Sequence, residues 1–242
     1  SDSIVLTATG NATIGWFNAA NKLLATGSTF NAPPTIATTT YFARNGVVFP
    51  SLFVGPADSS IGTGANHNTS FTGTINFDAF DDITIHSAWV KSGAAGPRTV
   101  TLWDGYDGVG NVVEVRTIDI PFAGAGRVDL GFTVPGPGTY SIGLAQADLY
   151  RSASGVNYPY TISGLMSITG SPAGADRYYY FYDVEVSKTP CWSDSVAVTA
   201  TVTDTADFSY TNANFAYSFT DLSPGATSWA WNFGDGNTST QQ

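Results

Sequence analysis

Cysteine and methionine each occur once in the 242 residues, histidine twice, and lysine and arginine together only nine times. Each scarcity removes a class of explanation. A lone cysteine, Cys191, excludes an internal disulfide, so stability comes from packing. Cys191 reads either as a small buried apolar side chain or as half of a bridge whose partner lies outside this chain. A catalytic thiol is the poorest reading, because no histidine lies near it in sequence. The formal net charge is -10, and such a chain repels nucleic acid and anionic membrane surfaces. His67 and His86 form no clustered ligand set of the kind zinc needs, and both read as surface or strand-edge residues. No G-x-S-x-G nucleophile elbow occurs. No run approaches the roughly 20 apolar residues of a membrane helix, so no direct membrane insertion is expected. No secretory leader is recognisable. The chain opens at Ser1 directly in a strand-like pattern, as a processed or excised piece would.

What is abundant points one way. Glycine (26), proline (12) and aromatics (14%) accompany many Thr, Ser and Asn residues. That mixture favours strands joined by tight turns over helices, and the aromatic content supplies material for real cores. Alternating runs recur at Ile4–Ala8, Thr13–Phe17 and Thr38–Ala43. They return at Ser70–Phe77, Ile83–Lys91, Arg98–Trp103, Asn111–Ile120, Gly126–Phe132, Gly138–Ala145 and Tyr178–Val186. Turn signals such as Asp104-Gly105, Asp107-Gly108 and Pro135-Gly136-Pro137-Gly138 separate them. The expectation is an all-β chain of tandem antiparallel β-sandwich modules. Its divisions are a small module over 1–45, a larger sandwich over 46–188, a linking strand over 189–205 and a further module beginning at 206. In Tyr178–Val186, strict alternation puts Tyr178, Tyr180, Tyr182, Val184 and Val186 on the core face. Tyr179, Phe181, Asp183 and Glu185 then share the other.

Carboxylate pairs are the residue type that glycoside hydrolysis requires. Asp81-Asp82, Asp104 with Asp107, and Asp183 with Glu185 qualify by proximity. However, Asp104 and Asp107 sit in turns where Asp is expected anyway. The chain is therefore expected to be non-catalytic. Oxygen supply makes Asp58, Asp81 and Asp82 weak candidates for a structural calcium, and no other cofactor is implied.

Three segments resemble known families. Trp16-Phe17, Leu23 to Phe30 and Thr38 to Phe42 resemble the short immunoglobulin-like repeats of secreted Bacteroidota proteins. Val54 to Asp58, Gly96 to Leu102, Leu149 to Arg151, Gly155 to Tyr160 and Tyr178–Val186 resemble a jelly-roll-like module of large secreted proteins from the same bacteria. Trp231, Phe233, Gly234, Asp235 and Gly236 meet the W-x-F-G-D-G pattern and resemble the start of a polycystic-kidney-disease (PKD) domain. About 37 residues are too few for that domain, so further strands or another chain are expected to complete it. The resemblances imply a large bacterial cell-surface adhesin or filament protein, exported by type IX secretion and located outside the cell. The implied partners are surface glycans or other copies of the same protein. An accessory or carbohydrate-binding module of a secreted hydrolase is the alternative.

Jelly-roll carbohydrate modules stack aromatics on sugar rings. That resemblance makes Trp103, Tyr106, Tyr150, Arg151, Asn157, Tyr158 and Tyr160 candidates for glycan contact, and the irregular Tyr150–Tyr160 segment the candidate loop. The competing reading is that these tyrosines cap the core of a leucine-poor sandwich. Ser3, Ser195 and Thr205 sit in triplets that resemble Bacteroidota O-glycosylation sites.

Overall fold

The computed structural model describes residues 4–34, 38–201, 206–223 and 225–241. Among them, regular structure consists of antiparallel strands and two short 3-10 turns, Ser59–Ile61 and Tyr106–Gly108. The fold is all-β and sandwich-type, as the alternation and turn chemistry require. No helix among the described residues is long and apolar enough to cross a membrane. The chain divides into two compact units, Val48–Cys191 and a second made of Ser1–Val47 with Trp192–Gln242.

The small module is built from both sides of that interruption. Strand Thr13–Phe17 lies between Leu23–Thr26 and Thr39–Val47. The far edge of Thr39–Val47 is taken by Val196–Ala200, in register Val196↔Ala43 to Ala200↔Thr39. Residues read as a linking strand thus belong to this module's sheet. A second ladder, Ile4–Thr7 with Thr29–Ala32, supplies Leu6 and Phe30 to a core shared with Ile14, Tyr41 and Ala200. Trp16 fills its centre. It is fully buried, stacks on Phe30 at 5.7 Å, and donates its indole N–H to the Gly27 carbonyl at 2.8 Å. A buried indole needs that acceptor.

The other face of Thr13–Phe17 is also covered. Trp192 meets Phe17 edge-on at 5.2 Å and lies so close to Gly15 that a Cβ there would approach the ring to 2.7 Å. The Arg44 guanidinium stacks over Phe17 at 4.8 Å. In the two-residue strand Cys191–Trp192 the packed position goes to the indole, and Cys191 is exposed. The expectation of a buried cysteine is corrected accordingly.

The larger unit packs two sheets. One has six strands, ordered Val112–Ile120, Gly96–Trp103, Gly138–Leu144, Gly73–Ala79, Met166–Gly170 and Tyr160–Ile162. The other is organised around Ile83–Ser92, flanked by Gly124–Val134 and Tyr182–Lys188, with Leu149–Ser152, Gly64–His67, Leu52–Val54 and Tyr178–Tyr179 extending it. Inward residues of both sheets form one apolar core: Ile75, Phe77, Leu102 and Ile142 from the first, and Ile85, Phe132, Val184 and Val186 from the second.

The aromatic run departs from strict alternation. Tyr178, Tyr179, Tyr180, Phe181 and Tyr182 are all buried. Tyr180 takes a left-handed backbone, φ 62°, and Phe181 N–H donates to the Tyr179 carbonyl at 2.7 Å. That tight turn rotates the chain between two short strands, so neither set of side chains is sent to solvent. Tyr178 and Tyr182 lie 5.1 Å apart in one group with Tyr158 and Tyr160. Tyr179 and Tyr180 face His67. His67 is therefore buried, not at the surface. It bonds the Tyr180 hydroxyl at 2.7 Å and the Thr69 hydroxyl at 3.1 Å. Burial, and secondarily the Arg151 charge, lower its pKa, which favours neutral imidazole. His86 bonds the Ser187 hydroxyl at 2.8 Å.

The C-terminal segment forms two ladders, Phe208–Ala213 with Ala216–Asp221, and Trp231–Asn232 with Thr238–Ser239. Gly234 and Gly236, φ 82° and 94°, make the turn of the second. Trp231 and Phe233 do point the same way, their rings nearly parallel at 6.5 Å. Phe219 touches both. Phe208, Tyr210, Tyr217 and Phe233 nevertheless remain exposed, so no closed core forms among the described residues here.

Two measurements test this account of the aromatic core. A Cβ on Gly73 would fall inside van der Waals distance of the fully enclosed Tyr179 ring, whereas one on Gly170 meets nothing within 4 Å. Gly73→Ala is expected to destabilise the larger unit by about 1–3 kcal/mol, the cost of overpacking, with Gly170→Ala near neutral in the same melt. Burial raises the Tyr158, Tyr178 and Tyr180 phenols far above their usual 10, and pushes Tyr182 up to about 12. The unfolded chain ionises near pH 10, so the folded chain holds more protons and loses stability as pH rises beyond that point. Each such phenol costs about 1.4 kcal/mol per pH unit until it ionises in the fold. Tyrosinate absorbance and loss of tertiary circular dichroism should therefore rise together above pH 10. Ionisation of these tyrosines well before unfolding would contradict the packing.

Candidate ligand-binding surface

The residues proposed for glycan contact separate into distinct places. Tyr158 stacks on Tyr178 at 6.0 Å and meets Tyr160 edge-on at 5.7 Å. Its hydroxyl donates to the Arg177 carbonyl at 2.7 Å. The Tyr160 hydroxyl accepts from the Asn157 N–H at 3.0 Å. These two rings cap the core at its tyrosine-rich end, and their aromatic partners lie within the chain. Asn157 is exposed beside them. Tyr150 and Arg151 belong to a strand, Leu149–Ser152, rather than to an irregular loop. Tyr150 lies under the Lys91 ammonium at 4.8 Å, and the Arg151 guanidinium lies over Tyr179 at 5.6 Å.

Trp103 and Tyr106 are placed differently. In Gly73–Ala79 the alternation sends Ile75, Phe77 and Ala79 inward and Thr74, Asn76 and Asp78 outward. Register carries one outward row across three strands, Trp103↔Ser141↔Asn76. The turn Tyr106–Gly108 folds back over this row. Asn76 fixes it twice, accepting from the Asp107 N–H at 2.9 Å and donating to the Asp107 carboxylate at 2.5 Å. Ser141 accepts from the Gly108 N–H at 3.0 Å and donates to the Gly105 carbonyl at 2.6 Å. Asp107 sits in the left-handed region, φ 62°, a conformation that Asp tolerates better than most residues. The base of the loop is closed by Asp104, which accepts from the Asn111 backbone and side-chain N–H groups.

Thr74, Asn76 and Ser141 are consequently buried although they face outward, and the loop above them is held like a part of the sheet. Tyr106 stays exposed, with its hydroxyl bonded to Asp78. Burial first, then that bond, raises its phenol above the usual range and keeps it a proton donor. Trp103 is half-buried, its ring edge close to Gly108 and, beyond it, the Thr72 and Thr74 methyls. The supporting residues Asn76, Asp78 and Ser141 were not among the expected contacts. Their signal is alternation with apolar residues: Asn76 and Asp78 with Ile75, Phe77 and Ala79, and Ser141 between Tyr140 and Ile142.

The expected calcium carboxylates all have donors within the chain. Asp58 caps the Ser59–Ile61 turn through the Ser60 N–H at 2.7 Å, Asp81 pairs with Lys188, and Asp82 accepts from the Gly136 N–H. No cluster of three or more potential metal ligands occurs among the described residues. Asp183 pairs with Arg127 and Glu185 accepts from Ser87 at 2.6 Å. Ser195 is exposed, whereas Ser3 and Thr205 lie outside the described residues.

No family model, curated protein or solved structure matches this chain. The surface must be read from its own geometry. A rigid loop with two partly exposed aromatic rings, carboxylates and hydroxyls is equipped to hold a flat, polyhydroxylated ligand. Asn76→Ala should release the loop, because the Asp107 N–H and carboxylate both lose their partner. Hydrogen exchange of residues 105–110 would then accelerate, with a stability loss of about 1–3 kcal/mol. Unchanged exchange would mean that Asn76 does not hold the loop.

Proposed function

We propose that this chain is a non-catalytic display segment of a large bacterial cell-surface adhesin or filament protein, working outside the cell. The larger unit is its adhesive head, and surface glycans are the partner. The observation that carries this reading is the pinned Tyr106–Gly108 turn, which presents Trp103 and Tyr106 on a rigid base of Asn76 and Ser141. Preorganisation of this kind reduces the entropy lost on binding.

The nested architecture supports display. The larger unit is inserted between two strands of the small module, Thr39–Val47 and Val196–Ala200, which pair with each other. Both of its chain connections therefore run into one carrier sheet. The resemblances of Trp16-Phe17 and of Trp231 to Gly236 to repeats of exported surface proteins support the placement, and type IX secretion is the route they imply. Repetition of weakly binding heads would add up to firm attachment. The Trp103–Tyr106 surface equally fits a carbohydrate-binding module of a secreted hydrolase, a reading that differs in what else the protein carries.

Beads coated with the full 242-residue chain should be retained on surfaces bearing bacterial or plant polysaccharides. Beads carrying the Trp103→Ala/Tyr106→Ala variant should wash off. If wild-type beads are retained by no glycan, the adhesive reading fails and the larger unit is a spacer.

A further inference from the structure

We infer that the Trp103–Tyr106 surface selects neutral, extended sugar chains and rejects anionic ones. The inference rests on the glycan-binding reading above and adds the chemical class of the ligand.

The few cations of the six-stranded sheet lie away from this surface. The strands of the six-stranded sheet carry two arginines, Arg98 and Arg116. Alternation places Arg98 on the same side as the buried Val100 and Leu102, and Arg116 on the side of Ile118 and Ile120. Both therefore fall on the inward register. Arg98 donates to the Ala147 carbonyl at 2.6 Å and to the Ala94 carbonyl at 3.1 Å. Arg116 pairs with Glu114 at 2.6 Å. The outward positions around the loop are Thr101, Trp103, Thr139, Ser141, Asn76 and Asp78. No strand of this sheet places a lysine or arginine on that face.

What remains on the face accepts hydrogen bonds rather than countering negative charge. Asp78 and Asp107 are each held through Oδ1, by Tyr106 and Asn76 respectively. The second oxygen of each is left for a ligand, and a carboxylate has lone pairs enough for several donors. Sugar hydroxyls donate to fixed carboxylates in charge-assisted hydrogen bonds. A uronate or sulfate in the same place would meet Asp78 and Asp107 with no cation between them, and like-charge juxtaposition costs several kcal/mol.

Length follows from the strand. In register Trp103 is level with Asn76 but two strands away through Ser141, about 10 Å at strand spacing. The Tyr106 hydroxyl reaches Asp78, two residues beyond Asn76, about 7 Å further at strand rise. A ligand touching both rings is an oligosaccharide stretch rather than a single sugar.

Affinity electrophoresis of the full chain in gels containing neutral polysaccharides (a β-glucan, a mannan) or anionic ones (alginate, polygalacturonate) tests this. The expected result is retardation by at least one neutral polymer, little changed by salt, and none by the anionic polymers. Asp78→Asn keeps an acceptor for Tyr106 and should fold normally, and it should weaken neutral binding roughly ten-fold, the loss of one charge-assisted bond. Phe53→Ala, on the other sheet, should leave binding intact. Retardation by alginate or polygalacturonate equal to that by neutral polymers would overturn the selectivity while leaving glycan binding in place. Neutral binding that survives both Asp78→Asn and Trp103→Ala would move the site elsewhere and overturn the inference. Absence of retardation in every gel would overturn the glycan reading together with it.

Discussion

The larger unit depends on one backbone turn, at Tyr180. A straight strand through residues 178–186 would divide its aromatics between two faces, and one set would meet water. The left-handed residue and the tight Phe181-to-Tyr179 hydrogen bond send all five aromatic side chains inside. Phenol hydroxyls carried inward need acceptors. Tyr178 finds the Phe181 carbonyl at 2.9 Å, Tyr182 bonds the Ser152 hydroxyl at 2.8 Å, and Tyr180 bonds His67. A leucine-poor sequence thereby obtains large buried surfaces, and in return the neighbouring segments must present matching polar groups. The neutral imidazole of His67, the glycine at position 73 and the half-buried Tyr158 and Tyr160 all follow from that requirement.

Much of the architecture was legible because alternation is a local property. Period alone assigns Ile75/Phe77 and Ile83/Ile85 to strands, and the structure places them in the core. What period could not supply is partner choice. Val196–Ala200 has the pattern of a strand wherever it pairs, and only the three-dimensional ladder shows that it closes the small module across the whole of the inserted unit. Similarly, alternation says nothing of a residue at φ 62°, and that is why the 178–182 run and His67 were misplaced. Short strands such as Leu149–Ser152 and Gly64–His67 carry too few residues to show a period, so the aromatic segment around 150 looked like a loop.

The candidate surface was half legible for a related reason. Trp103 and Tyr106 stood out as aromatics beside turn residues, but so did Tyr158 and Tyr160. The difference lies in what each ring meets. Tyr158 has a facing ring in Tyr178 and a carbonyl at Arg177, both from segments distant in the chain. Tyr106 has a carboxylate and stays exposed. Composition treats the two alike, and only the fold distinguishes a core cap from an exposed platform.

The loop also accounts for how so acidic a chain carries the face proposed for sugars. Asparagine and aspartate at outward positions are ordinarily solvated. Here the loop built on Asp104, Asp107 and Asn111 converts Asn76 and Ser141 from surface residues into buried anchors, so their hydrogen-bonding capacity goes into shape. Asp78 is left outside that network with one oxygen on Tyr106. Rigidity and available acceptors thus come from residues of the same type, divided by whether the loop covers them. A change that loosens the loop should therefore weaken the proposed glycan recognition even where no contacting atom is lost, because the rings would no longer be held in place before the ligand arrives.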